Sequence, residues 1–178
     1  MLIVKYTPDW RKHFTDLKRE IDRELAGLAY RIEHVGSTSV PGLDAKPIID
    51  IDIIFADSAA FPKIKSGLIA LGYFHNGDQG IVGREVFKRD GNSTNHLLDA
   101  IPHHLYVCAQ GSPPLERHIL MRNYLRKNEW ARVKYQELKY ELAEKAGQDR
   151  KVYAELKEQY ANDFIDEIIE KEILTLRT

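Results

Sequence analysis

Residues 48–55 read IIDIDIIF, an apolar and mostly β-branched run with an acid at positions 50 and 52. Such a run favours extended backbone and buries on both sides, so it predicts a central β-strand. Side chains two apart in a strand share a face, with their α-carbons roughly 6.5 Å apart. Asp50 and Asp52 therefore project together, while Ile49, Ile51 and Ile53 project the other way. Two carboxylates crowded on a half-buried surface repel each other unless a cation or ordered water offsets their charge. A divalent metal does so directly, and magnesium is commonly held by one or two carboxylates together with substrate phosphates. The alternative is a strand end emerging into solvent, with both aspartates merely hydrated.

Fourteen residues before Asp50 stands Gly36-Ser37. A glycine at a strand end lets backbone approach a phosphate closely, and the adjoining serine offers a hydroxyl and an amide hydrogen to its oxygens. Alone the pair is ordinary turn chemistry. Coupled to an Asp-x-Asp strand it suggests a loop that grips nucleotide phosphates beside the ions that bridge them.

The rest of the chain supplies a scaffold for these motifs. Thr7-Pro8 predicts a helix start, and Trp10, Phe14, Leu17, Ile21, Leu25 and Leu28 recur at helical spacing. Strands are predicted at Tyr30–Val35, Arg84–Lys88 and Leu105–Cys108, a helix at Ala59–Leu71, and a turn in the DGNSTN stretch from Asp90 to Asn95. From Pro113 onward the composition is charge-rich and helical, with breaks near Asn128 and at Ala146-Gly147. Val152, Leu156, Tyr160, Phe164, Ile168 and Ile169 form the expected apolar stripe of the last helix. The predicted fold is α+β, a small mixed sheet flanked by helices. It is read as a single domain over 1–178, with the sheet core in 1–112 and a packed helical cap in 113–178.

Charge and cysteine content narrow the function classes. Lys and Arg total 26 against 27 Asp and Glu, so no extended nucleic-acid surface is expected and any anion site must be local. The single cysteine, Cys108, forms no intrachain disulfide, and no run approaches the roughly 20 apolar residues of a membrane span. A soluble, cytoplasmic protein is the expectation. His96, His103 and His104 match no usual zinc-ligand spacing.

The succession Val35-Gly36-Ser37, a spacer, then Asp50-Ile51-Asp52 resembles the signature of the DNA polymerase beta-type nucleotidyltransferase superfamily. More closely, HVGSTSVPGLDAKPIIDI is similar to the core motif of the GrpB-like family of that superfamily, and the likeness extends to HHLYV at 103–107, MRNYLR at 121–126 and the helical tail. Three departures stand out. An acid at position 52 is often lacking in the family, Tyr106 stands where a second histidine is usual, and Met121-Arg122-Asn123 replaces Phe-Arg-Asp.

The resemblance implies a nucleotidyltransferase-like fold and a metal-dependent transfer of a nucleoside monophosphate from a nucleoside triphosphate to a small acceptor. Asp50 and Asp52 would hold magnesium, Gly36 and Ser37 the phosphates, and His104 would assist the acceptor hydroxyl. Lys46, Arg122 and Arg126 would offset developing charge, with His118, Arg122 and Arg126 forming one helical stripe. Such chemistry usually calls on a third carboxylate, for which Glu85 and Asp99 are the candidates. The rival expectation is a non-catalytic module that binds a nucleotide or phosphate ligand, linked to coenzyme A metabolism by the family's occurrence beside dephospho-coenzyme A kinase. A third is a helical half that docks a partner protein.

Overall fold

A computed structural model of the chain describes residues 1–89, 91 and 95–177. The expected turn at 90–95 therefore lies largely outside the described residues. Two compact units emerge: a sheet unit of Asp9–Val35 and Ile48–Glu116, and a helical unit of Met1–Pro8, Gly36–Pro47 and Arg117–Thr178.

In the sheet unit, α1 (Asp9–Glu24) precedes β1 (Arg31–Val35), and β2 (Ile49–Phe55) leads into α2 (Ala60–Ala70). Then follow β3 (Tyr73–His75), β4 (Arg84–Arg89), α3 (His96–Ala100) and β5 (His103–Ala109). The five strands form one sheet in the order β1-β2-β5-β4-β3. Strands β2 and β5 run parallel and the other pairs antiparallel, so the sheet is mixed and open. The acid-bearing strand is interior, as its composition predicts.

One face of this sheet is apolar. Ile49, Ile51, Ile53, Leu105 and Val107 are buried there, and the Phe14 ring of α1 stacks on His34 of β1 at 4.7 Å. Trp10, Leu17 and Ile21 give α1 its buried stripe, and Leu25 is buried just after it. Helices α1 and α2 approach closely at Gly67, where a β-carbon would meet the Leu25 side chain at 2.4 Å.

Strand β3 and helix α3 are additions to the sequence reading. Three residues are too few for alternation to register, and α3 begins because Asn95 accepts a hydrogen bond from the Leu98 amide at 3.1 Å.

His103 also belongs to the apolar face. Its Nδ1–H donates to the Ile101 carbonyl at 2.7 Å, so Nε2 accepts from the Tyr73 hydroxyl at 2.6 Å. Burial pulls its pKa below the usual 6.5, so below that pH the unfolded chain binds protons that the folded one refuses. Stability should fall as pH drops below about 6.5, and His103→Gln should flatten that slope in urea titrations at pH 5 and 7.5.

In the helical unit, the 36–47 loop meets α4 (Pro113–Lys127, from Arg117 onward), α5 (Glu129–Lys145) and α6 (Arg150–Arg177). The helix breaks fall where Asn128 and Ala146-Gly147 predict them. The core joins Leu2, Ile3, Val40 and Leu43 to Leu125, Tyr135, Leu142, Phe164 and Ile168. The stripe of α6 differs from the expected one: Tyr153, Ala161, Phe164, Ile165 and Ile168 are buried, while Val152 and Tyr160 are exposed. Large side chains weight a sequence pattern toward Tyr160, whereas the packing selects the small Ala161 beside it.

Buried charge is concentrated around Asp44 in the same unit. Its carboxylate accepts from the Tyr6 amide at 2.9 Å, Lys5 Nζ at 3.0 Å and the Tyr140 hydroxyl at 2.8 Å. Its amide donates to Gln136 Oε1 at 2.8 Å, and its carbonyl accepts from the buried Lys139 ammonium group. Burial draws the Lys139 pKa well down, with Lys157 adding to the effect. No helix among the described residues is long and apolar enough to cross a membrane.

Candidate active site on the sheet

The register of the sheet decides which side chains share the face of the two acids. Asp50 stands opposite Val35 and His104, and Asp52 opposite Glu33 and Tyr106. On β4, Val86 is registered with Tyr106 and Arg84 with Cys108, which extends this face across four strands. Asp50, Asp52 and His104 are thus brought together on one side of the sheet, with Ile49, Ile51 and Ile53 on the other.

The two acids differ in exposure. The Asp50 side chain is 26% exposed and that of His104 is 53% exposed. Asp52 is fully buried, at 0%. The picture of a strand end with both carboxylates hydrated is therefore overturned, and of the two acids only Asp50 reaches solvent.

Asp50 and His104 form a defined pair. Asp50 Oδ1 lies 2.9 Å from His104 Nδ1. A carboxylate accepts, so Nδ1 carries the proton, and in the neutral ring Nε2 is left as a proton acceptor. Orientation of an imidazole by a carboxylate on its other nitrogen is the arrangement that general-base catalysis uses.

Around Asp52 the field is mixed. The Arg84 guanidinium lies over the Tyr106 ring at 4.8 Å. Burial pushes the Cys108 thiol up to about 12, and the Asp52 charge adds to the shift while Arg84 opposes it. Cys108 is consequently an inert core thiol.

The sheet places both candidates for a third carboxylate elsewhere. Glu85 is registered with Val107, on the apolar face, and pairs with His75 Nε2 at 2.5 Å. Asp99 accepts from the Arg89 guanidinium at 2.9 and 2.6 Å. Neither shares the acid face as a metal ligand. The residue that sequence reasoning missed is Glu33, half-buried and directly opposite Asp52. Its only local signal is alternation with Val35 in RIEHV; the pairing with β2 is non-local. His103 and His104 point to opposite faces, and among the described residues no group of three metal-binding side chains occurs.

The other expected residues belong to the helical unit. Gly36 has φ 69° and ψ −175°, a backbone region that is essentially restricted to glycine. Its carbonyl accepts from the Ser39 amide at 3.2 Å and hydroxyl at 2.6 Å, which closes a 3-10 turn over Ser37–Ser39. Gly36→Ala is expected to cost about 1–3 kcal/mol of stability by this strain, as measured by urea unfolding without any ligand. Arg126 donates from Nε and Nη2 to the Ser39 carbonyl at 3.0 and 2.7 Å, which ties α4 to this turn. Arg122 Nε donates to Asn123 Oδ1 at 3.1 Å, and Lys46 Nζ lies 4.2 Å from the Tyr153 ring centroid.

Known proteins share both the sequence and this architecture. The family profile described as GrpB protein matches residues 1–171. UPF0157 protein YqkA of Bacillus subtilis is 35% identical over 141 residues, which is 79% of this chain but 39% of YqkA, so the chain spans about two-fifths of that relative's length. The crystal structure of conserved protein GrpB from Enterococcus faecalis superposes with a TM-score of 0.77 at 27% identity, covering 95% of this chain and 98% of that one. A structure of Cid1, a protein with RNA terminal uridylyl transferase activity, superposes with a TM-score of 0.53 at 12% identity, covering 80% of this chain and 41% of that one. That last likeness is one of fold alone. With the profile spanning nearly its whole length, the chain belongs to the GrpB family.

Proposed function

We propose that this protein is a metal-dependent nucleotidyltransferase that moves a nucleoside monophosphate from a nucleoside triphosphate onto a small acceptor. The observation that carries the reading is the Asp50–His104 pair at 2.9 Å on the face that Asp52 also occupies. The acceptor oxygen attacks the α-phosphorus and the bond to the bridging oxygen breaks, so pyrophosphate leaves with its electron pair. His104 Nε2 takes the acceptor proton, and Asp50 holds the ring in the tautomer that can do so.

The donor set suits magnesium that arrives with a triphosphate. One half-buried and one fully buried carboxylate are too few for an all-protein cage, whereas magnesium usually uses one or two carboxylates plus phosphates and water. Asp50, through Oδ2, and Asp52 would hold it, and when bound it would offset the phosphate charge. Hydrogen bonding from His104 to Asp50 is the kind of support that metal-ligating carboxylates receive. Gly36, Ser37, Lys46, Arg122 and Arg126 belong to the helical unit, and no part in this site is assigned to them. Because Arg126 binds the Ser39 carbonyl, its loss would disturb the 36–39 turn.

The rival is a binding module on the same fold without turnover. The displacement of Glu85 and Asp99 from the acid face favours it. Titration calorimetry with magnesium and a nucleoside triphosphate tests binding first. Saturable, metal-dependent heat that disappears in Asp50→Ala is expected; no binding by the native chain, or undiminished binding by the variant, would sink both readings.

A further inference from the structure

The acid face continues beyond the residues assigned above, in the direction away from β1. From Asp50 on β2 it passes to His104 on β5 and then to β4, where Lys88 lies two residues beyond Val86 on the same face. It ends on β3 at Phe74, the register partner of Lys88. Neighbouring strands are about 4.8 Å apart, so the row from Asp50 to Phe74 spans roughly 14 Å.

Three of the four positions are exposed, and Asp50 is half-buried. His104 and Lys88 are exposed, and Phe74 is 41% exposed, unusual for a phenylalanine in a sheet. Among the described residues Lys88 has no ion-pair partner. In order, then, the row offers a carboxylate, an imidazole, an ammonium group and an aromatic face. An ammonium group is a point charge suited to phosphate, and an exposed phenylalanine face accepts a planar ring by stacking.

We infer that His104, Lys88 and Phe74 form the acceptor subsite, and that the acceptor is a small phosphorylated molecule carrying a planar ring, of the nucleoside monophosphate class. Its phosphate lies at Lys88, its ring on Phe74, and a hydroxyl at His104 Nε2. The word acceptor rests on the transfer reading; the site itself does not. Lys88 and Phe74 set specificity, and His104 is the residue that touches the reacting hydroxyl.

Titration of the four ribonucleoside monophosphates into the full chain, with neither metal nor triphosphate present, tests the site. At least one should bind saturably. Its nucleoside and ribose 5-phosphate should each bind at least about ten-fold more weakly, since each lacks one of the two contacts. Lys88→Gln and Phe74→Ala should each weaken the monophosphate about ten-fold, while Lys88→Arg and Phe74→Tyr retain it. Absence of saturable binding for all four, or an affinity that neither Lys88→Gln nor Phe74→Ala changes, overturns the inference. Magnesium-triphosphate binding through Asp50 is a separate measurement, so its failure would remove the transfer step and leave this site standing.

Discussion

Pyrophosphate release by Asp50→Asn is expected to fall on the order of a thousand-fold, the scale seen when one fixed electrostatic contact to a transition state is removed. Asparagine keeps the shape and can still orient an imidazole, but it carries no charge for a cation. His104→Gln should differ in kind: release slows about a hundred-fold while triphosphate affinity is retained, because a general base acts only in the transition state. Radiolabelled nucleotide with a panel of hydroxyl acceptors measures both. Equal loss of affinity in the two variants would mean that the pair is a structural contact of the sheet.

Asp44→Ala should be the most damaging change outside the sheet, at about 3 kcal/mol. It removes an acceptor for the Tyr6 amide, the Tyr140 hydroxyl and Lys5 at once and leaves two half-buried donors, those of Tyr6 and Tyr140, without this partner. Burial alone would raise the pKa of this carboxyl, but the hydrogen bonds from Tyr6, Lys5 and Tyr140 outweigh it and hold it below the ordinary 3.8. A depressed carboxylate contributes stability above the unfolded value and loses it as pH falls through the folded one. The gap between native and Asp44→Ala chains in urea midpoint should therefore be full at pH 7 and shrink below about pH 3.8. A constant gap across that range would show that packing rather than charge sets the cost.

These two residues also mark what could be read in the sequence. Asp50 was legible because alternation is local: IDIDIIF states its own faces, and HHLYV states which of its residues would share one with His104. The helix breaks at Asn128 and Ala146-Gly147 were legible for the same reason, since capping chemistry lies within a few residues. Asp44 was not. It sits in a loop without periodicity, and its partners Gln136 and Tyr140 lie 92 and 96 positions away. Glu33 was hidden likewise, because its place opposite Asp52 depends on the register of β1 with β2. Glu85 stayed a mere candidate for the converse reason: its strand is recognisable, but the face it presents follows only from pairing with Val107. Alternation assigns residues to one of two faces; only tertiary pairing says which face is which.

A crystal structure with magnesium and a non-hydrolysable nucleoside triphosphate would put the matter to the test. Metal at about 2.1 Å from a carboxylate oxygen of Asp50, also coordinated by phosphate oxygen, is the expected result. Metal and phosphates bound elsewhere, with Asp50 engaged only by His104, would contradict it.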